Sequence, residues 1–330
     1  MLLSDLDYSY PAELIALKPS TPSRVMLSQN GELSEINKAQ TLKLMAPGDL
    51  LVVNNTKVIP ARVFSRNEIE VLFIRSHGTN IWEVLFPARE FKIGDSIQMP
   101  GGLDIELIEK GLPQKVKLNR EIDHSYFEQF GELALPPYIQ QQRSSRHNQA
   151  EDASWYQTAW ASQMGSTAAP TASLHFDLKD LEHLKARGVK VCELTLHVGP
   201  GTFLPVKTEK LVDHKMHEEW IHIPEETILK IQEAKSKGHK VWALGTTVTR
   251  ALESWATGMG SSGMSNLFIY PPYEYKVVDR LLTNFHQPRS TLIALVGAFA
   301  GLDHVKAAYQ WAIERRFRLF SYGDLSVWIK

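Results

Sequence analysis

The pattern of apolar and polar positions changes character twice along this chain. Up to about residue 60, turns mix with one continuous apolar run, Leu50–Val53, which predicts a short buried strand after the turn Pro47-Gly48-Asp49. Asn54-Asn55-Thr56-Lys57 ends that run with polar side chains. From Arg62 to Ile122 the segments are short and β-like. Glu70–Ile74, Ile81–Phe86, Ser96–Met99, Leu103–Ile108 and Lys115–Leu118 are strand candidates, parted by turn signals such as His77-Gly78, Ile93-Gly94-Asp95 and Pro100-Gly101-Gly102. Strands at such spacing predict a small barrel or sandwich. A helix over Ser125–Phe130 and the break Leu135-Pro136-Pro137-Tyr138 come next. Gln140–Asp152, polar and without periodicity, reads as a flexible loop near a domain boundary.

Beyond that loop, helices and strands alternate. Asp177–Arg187 predicts a helix closed by Gly188, and Val189–Leu196 a strand. Trp220–Ile223 ends another strand, and Pro224-Glu225-Glu226 opens a helix that runs to about Lys237, because proline and carboxylates both favour a helix start. Val241–Leu244 and Leu267–Tyr270 predict strands; Val248–Trp255, Thr291–Ala300 and Val305–Arg315 predict helices. The fold class expected is α/β: a larger α/β domain made of residues 1–61 plus 151–330, with an inserted small antiparallel β-barrel domain at 62–150.

Composition narrows the setting. With 330 residues the chain is long enough for about two domains. Its one cysteine, Cys192, permits no intrachain disulfide, which suits a reducing compartment. The start MLLSDLDYSYP has no basic, apolar targeting character, and the longest apolar stretch, Thr291–Gly301, is about half of a bilayer span. A cytoplasmic protein with no membrane segment is expected. Lys plus Arg number 36 against 37 for Asp plus Glu, so global charge says nothing for nucleic acid. Arg143–Arg146 and Arg315, Arg316 and Arg318 are local basic clusters, read as solvated surface.

The C-terminal half carries more polar chemistry than folding requires. Gly165–Phe176 is rich in small residues, which let backbone approach a ligand closely. His197 ends a strand, followed by the Gly199-Pro200-Gly201 turn, which is not a dinucleotide fingerprint. His217 and Glu219 share a strand face by period two, as an oriented acid–base pair or an ion pair. The histidines His214 and His217 lack the partners of a metal motif, so no metal is expected. Gly245-Thr246-Thr247 joins a strand to a helix bearing Arg250, either an anion site or a threonine cap. Asn284, His286 and Arg289 form a donor-rich loop, and Phe320–Asp324 is a further polar cluster. Together these loops suggest a site without naming its reaction.

Those segments resemble the S-adenosylmethionine:tRNA ribosyltransferase-isomerase family nearly end to end. The resemblance lies in LSDLDYSYPAELIA at the start, Gly48–Arg62, Leu135–Ile139, Tyr156–Thr158 and Ala168–Phe176, then TLHVGPGTFLPV, HKMHEEW, GTTVTRALES, LLTNFHQPRSTL, AFAG and FSYGD in order. It implies that the ribosyl part of S-adenosylmethionine is transferred to a 7-aminomethyl-7-deazaguanine at the tRNA wobble position. Isomerisation then gives epoxyqueuosine, with adenine and methionine released. S-adenosylmethionine would be a consumed co-substrate, no cofactor would stay bound, and the protein would act as a monomer on tRNA.

Carried onto this chain, the resemblance implies a catalytic pool of His175, His197, His217, Glu219, Asn284, His286 and Asp324. S-adenosylmethionine would be held by Thr171, Gly199, Gly201, Gly245, Thr246, Thr247, Arg250 and Tyr322, and the tRNA or its base by Asn55, Lys57, Arg62, Phe176, Phe285 and Arg289. The chain departs from the family pattern at Ser173, where glycine is usual, and at Asn266, where a carboxylate is usual. Two other classes stay open at this stage: a divergent tRNA-binding paralogue, or one acting on a different base, and an ordinary methyltransferase. The β block is not notably basic, which counts against the first; no glycine-rich nucleotide loop is present, which counts against the second.

Overall fold

The apolar run at Leu50 forms a strand, Leu50–Asn54, with all five residues buried near the middle of a nine-stranded sheet. The computed structural model describes residues 1–20, 23–78, 80–199, 201 and 206–330. Across the sheet the strands run Ser262–Ser265, Glu219–His222, Lys190–Leu196, Leu50–Asn54, Val241–Leu244, Arg280–Asn284, Leu325–Ile329, Arg24–Gln29 and Glu32–Asn37. The central four, from Lys190–Leu196 to Arg280–Asn284, are parallel. Antiparallel pairings flank them on both sides.

A parallel strand covered on both faces reads as a continuous apolar run, and the packing shows why. Leu50 and Val52 join the core containing Val241, Ala243, Ile231, Ala234, Val248 and Leu252, under the helices Glu225–Ser236 and Thr246–Ala256. Leu51 and Val53 join the opposite core with Leu181 and Leu184 of the helix Leu178–Ala186. The preceding turn is fixed by Asp49, whose carboxylate accepts from the backbone of Ala46 and Lys240 and, at 2.9 Å, from the indole of Trp242. Gly48 there has φ +92°, and the His239 ring occupies the space a Cβ would need. Helix ends follow the residues the sequence offers: Asp177 and Ser290 cap their helices with side-chain oxygens, and Gly188 follows the first at φ +85°.

All seven strands of a second, wholly antiparallel sheet come from between Arg62 and Glu132. Its core of Val63, Phe73, Val84, Ile105, Leu107 and Val116 is capped by Phe127 of the helix His124–Phe130. The end strands Gly131–Glu132 and Ser96–Met99 form no ladder with each other, so the small antiparallel barrel expected is a half-barrel.

Three expectations are corrected. Gln140–Asp152 is a loop only over residues 144–151: its ends belong to the helices Pro137–Arg143 and Asp152–Trp155, and Arg143 reaches both oxygens of the buried Asp152 at 2.9 and 2.7 Å. Arg143 is therefore no solvated surface charge; a buried ion pair leaves no trace in hydropathy. Leu267–Tyr270 lies outside any strand and packs apolar side chains on the core, and the ladder is made by the preceding Ser262–Ser265, paired with Glu219–His222. The strands Arg24–Gln29, Arg280–Asn284 and Leu325–Ile329 add to those anticipated. Among the described residues no single helix is long and apolar enough to cross a membrane.

Candidate functional site

The four parallel strands end at Leu196, Asn54, Leu244 and Asn284, and a cavity of about 630 Å³ opens above these ends. Carboxyl ends of parallel strands are where open α/β sheets bind ligands. Its wall is built from Ala168–Ala172, Gly245–Thr247 with Arg250, Thr283–Leu292, the segment carrying His214, Met216, His217 and Glu219, and Pro136–Tyr138. The strand ends are held in register by Asn54. Its side chain donates to the Leu196 carbonyl at 3.0 Å, accepts from the Leu196 and Thr56 amides, and donates to Thr247 Oγ1 at 3.3 Å.

Gly245, at φ +98°, is the cap residue of the helix Thr246–Ala256, and no side chain caps that helix. The threonine-cap alternative is thus not what forms. The first-turn N–H groups are left without a side-chain partner beside the cavity, and the largely buried Thr246 hydroxyl has no hydrogen bond among the described residues. Arg250 lies on the second turn and pairs with Glu219. Burial pushes Arg250 down to about 10, so it stays charged at neutral pH, with Glu219 as its counter-ion. The other Glu219 oxygen accepts from the Gly199 amide at 3.0 Å. Arg250 is therefore already compensated and is not the free carboxylate holder that its place in the sequence implied.

His217 is half-buried and makes no hydrogen bond among the described residues; Gly201 passes so close that a Cβ would lie 2.9 Å from its ring. Burial and the nearby His217 lower the pKa of His214. His286 is buried, its Nε2 is 2.8 Å from Thr283 Oγ1, and burial lowers it to about 3. Asn284 bonds Thr171 Oγ1 at 2.9 Å and His175 Nε2 at 3.2 Å.

Of the residues singled out in the sequence, the cavity brings together Thr171, Gly201, His217, Glu219, Gly245, Thr246, Thr247, Arg250, Asn284, Phe285, His286 and Arg289. The remainder lie outside its wall. His175 stands behind Asn284. His197 bonds Thr56 Oγ1 at 2.7 Å and stacks on Trp220, with its pKa lowered by burial. Asp324 is buried and accepts from the Arg318 and Arg24 amides, holding a turn. Gly199 reaches the site only through Glu219. Asn55 is tied to Glu193 and Thr195. Lys57 is exposed elsewhere. Arg62 is only 1% exposed and is bound at 2.9 Å to Glu132 inside the half-barrel, which removes it as a phosphate contact. Phe176, Phe285 and Tyr322 are buried in the core, so none offers a ring face for a base to stack on. The sequence reading passed over Tyr138, Met216 and Ser321, which the cavity includes. The Pro136-Pro137 break was the visible signal for Tyr138; Met216 and Ser321 lie inside the polar segments HKMHEEW and FSYGD.

A mixed sheet, a large cavity at its parallel carboxyl ends, an open helix N-terminus and wall histidines define a ligand-binding α/β protein of enzymatic type. The chain belongs to a family described as queuosine biosynthesis protein, whose model matches residues 3–328. It is 43% identical to the S-adenosylmethionine:tRNA ribosyltransferase-isomerase of Sulfurihydrogenibium sp. (strain YO3AOP1), over 98% of both chains. It is 45% identical to the protein of the same name from Polynucleobacter necessarius subsp. necessarius, over 98% of this chain and 97% of that one. The crystal structure of S-adenosylmethionine tRNA ribosyltransferase from Thermotoga maritima aligns with a TM-score of 0.57 at 33% identity, covering 99% of this chain and 100% of that one.

Proposed function

We propose that this protein is an S-adenosylmethionine-dependent tRNA ribosyltransferase-isomerase. It moves the ribosyl unit of S-adenosylmethionine to the aminomethyl group of a 7-deazaguanine at the tRNA wobble position and isomerises it to the epoxycyclopentanediol of epoxyqueuosine. Adenine and methionine leave. The observation that carries this reading is the family match from residue 3 to residue 328, a range that includes the cavity-forming loops. S-adenosylmethionine is the consumed co-substrate, and no cofactor remains bound.

The chemistry needs a base for the proton on the 5′ carbon beside the sulfonium, help for the departing adenine, and donors for the methionine carboxylate. The open N-terminus at Gly245–Thr247 takes the carboxylate, where N–H groups and the helix dipole both favour an anion. His217 takes the proton, since it lines the cavity with no competing partner among the described residues. Glu219, held by Arg250 and the Gly199 amide, faces the sulfonium. His286 stays neutral and acts as a hydrogen-bonding wall group. The half-barrel is the unit inserted at 62–150 into a catalytic domain of residues 1–61 plus 151–330, and the exposed Lys57 and Arg289 meet tRNA phosphates. The protein works as a cytoplasmic monomer.

Incubation with S-adenosylmethionine and tRNA carrying the aminomethyl base, followed by nucleoside mass spectrometry, tests the reading. The epoxycyclopentane adduct is expected; its absence together with absence of free adenine refutes it.

A further inference from the structure

Thr171 lies on the cavity wall at the end of a run of hydrogen bonds whose two outer contacts are backbone carbonyls. The Ser23 hydroxyl donates to the Ser20 carbonyl at 3.2 Å. A carbonyl only accepts, so with the Ser23 proton on Ser20, Ser23 Oγ accepts from His175 Nδ1, 2.8 Å away. That fixes the His175 tautomer with its proton on Nδ1, because burial and the nearby positive charges of Arg318 and Lys38 keep the ring neutral, with a pKa lowered to about 3. His175 Nε2 is then a bare acceptor and must receive an N–H from Asn284, at 3.2 Å. The same Asn284 nitrogen faces the Gly323 carbonyl at 3.5 Å, a second acceptor-only group, which requires the same orientation of the amide. The Asn284 oxygen therefore points at Thr171, and the Thr171 hydroxyl donates to it at 2.9 Å. Its only proton is spent. Toward the cavity Thr171 Oγ1 presents lone pairs alone.

An acceptor-only oxygen recognises a donor. The neighbour of Thr171 decides which one: Ala172 packs 3.7 Å from the Cβ position of Gly245, so this acceptor stands beside the open helix N-terminus that draws an anion. Adjacent anion-binding N–H groups and a fixed acceptor match an α-amino acid zwitterion. We propose that Thr171, with its polarity set by Asn284, His175 and Ser23, reads the α-ammonium group of the amino-acid half of the substrate while the Gly245–Thr247 turn takes its carboxylate. This assignment rests on S-adenosylmethionine being the substrate. His175 and Asn284 are positioning residues in it, which explains why a histidine outside the cavity wall is tied to the site.

Two experiments test this. The ¹⁵N shifts of the His175 ring in the whole protein report its tautomer without any assay: Nδ1 protonated and Nε2 bare is expected, and a protonated Nε2 overturns the relay. The second uses saturating tRNA with S-adenosylmethionine or its analogue lacking the α-amino group, on wild type, Thr171→Val and Thr171→Ser, with adenine release as readout. In the wild type, removing the amine lowers kcat/KM by about 10- to 100-fold, the range for a hydrogen bond to a charged group. Thr171→Val raises KM for S-adenosylmethionine by a similar factor with kcat within a few-fold, and in it the loss of the amine costs almost nothing further. Thr171→Ser behaves as wild type. An amine penalty as large in Thr171→Val as in the wild type overturns the assignment. A wild type that releases no adenine at all refutes the substrate reading, and the ammonium assignment with it, while the tautomer still decides the polarity.

Discussion

Arg250 and Glu219 form an ion pair across the cavity wall, with side chains only 10% and 4% exposed, and they arrive there from a helix and a sheet strand 31 positions apart in the chain. Two charges this enclosed hold each other in place, and removing one strands the other. Arg250→Ala and Glu219→Ala should each lower unfolding free energy by about 3–5 kcal/mol. The pair replaced together by Met and Leu should recover most of that loss while remaining inactive. Urea unfolding of the three variants checks this; losses that simply add would show that the pair is not coupled.

The neutral His175 and His286 make stability depend on pH. Both are lowered to about 3 in the folded protein, against an ordinary value near 6.5. Between about pH 3 and 6.5 the unfolded chain therefore binds protons that the folded chain refuses, so stability is greatest above pH 6.5 and falls as pH drops through that window. His175 keeps some exposed surface, so its share is the smaller of the two. His286→Gln should flatten the slope of unfolding free energy between pH 5 and 6 by up to about 1.4 kcal/mol per pH unit. An unchanged slope would mean His286 is protonated in the native state.

Ser173 is fully buried and its hydroxyl has no partner among the described residues. A buried unsatisfied hydroxyl costs about 1–3 kcal/mol. Ser173→Ala, which removes it without leaving a large void, should raise the unfolding free energy by about 1 kcal/mol and leave adenine release intact. Destabilisation instead would mean that the hydroxyl has a partner in solution.

Arg62 and the pair Lys57 and Arg289 separate structure from tRNA contact. Arg62 is enclosed beside Glu132 and Glu70, whereas Lys57 and Arg289 are exposed and unpaired among the described residues. Arg62→Ala should cost about 2 kcal/mol or more of stability and leave the salt dependence of tRNA binding unchanged. Lys57→Ala and Arg289→Ala should leave stability unchanged and reduce the logarithmic salt slope by up to about one each. The reverse pattern would return Arg62 to the tRNA surface.

These cases mark what the residues alone convey. Leu50–Asn54 and the half-barrel strands are legible because hydropathy records burial directly: a two-sided strand is continuously apolar, and turns between short strands need Gly, Pro and Asp. Asn266, in contrast, stands where the family resemblance implied a carboxylate; it is exposed and outside the cavity wall, so that departure leaves the wall unchanged. Charge is poorly legible because the letter does not say what surrounds it. Arg62, Arg143 and Arg250 all read as free cations, and each is held by a carboxylate that the fold brings to it, distant in sequence for Arg62 and Arg250. Phe176, Phe285 and Tyr322, implied as substrate contacts, are buried, and here too the letter does not say what surrounds the ring. Motif order located the loops that form the site; which side chains face the cavity depended on the strand ends that gather them.

The central claim is that ribose carbon, not a methyl group, leaves S-adenosylmethionine for tRNA. S-adenosylmethionine labelled with ¹³C throughout its ribose, incubated with the protein and tRNA bearing the aminomethyl base, tests it most directly. The account predicts that all five labelled carbons appear in the wobble nucleoside, with one adenine and one methionine released for each. Labelled S-adenosylhomocysteine with an unlabelled tRNA would contradict it.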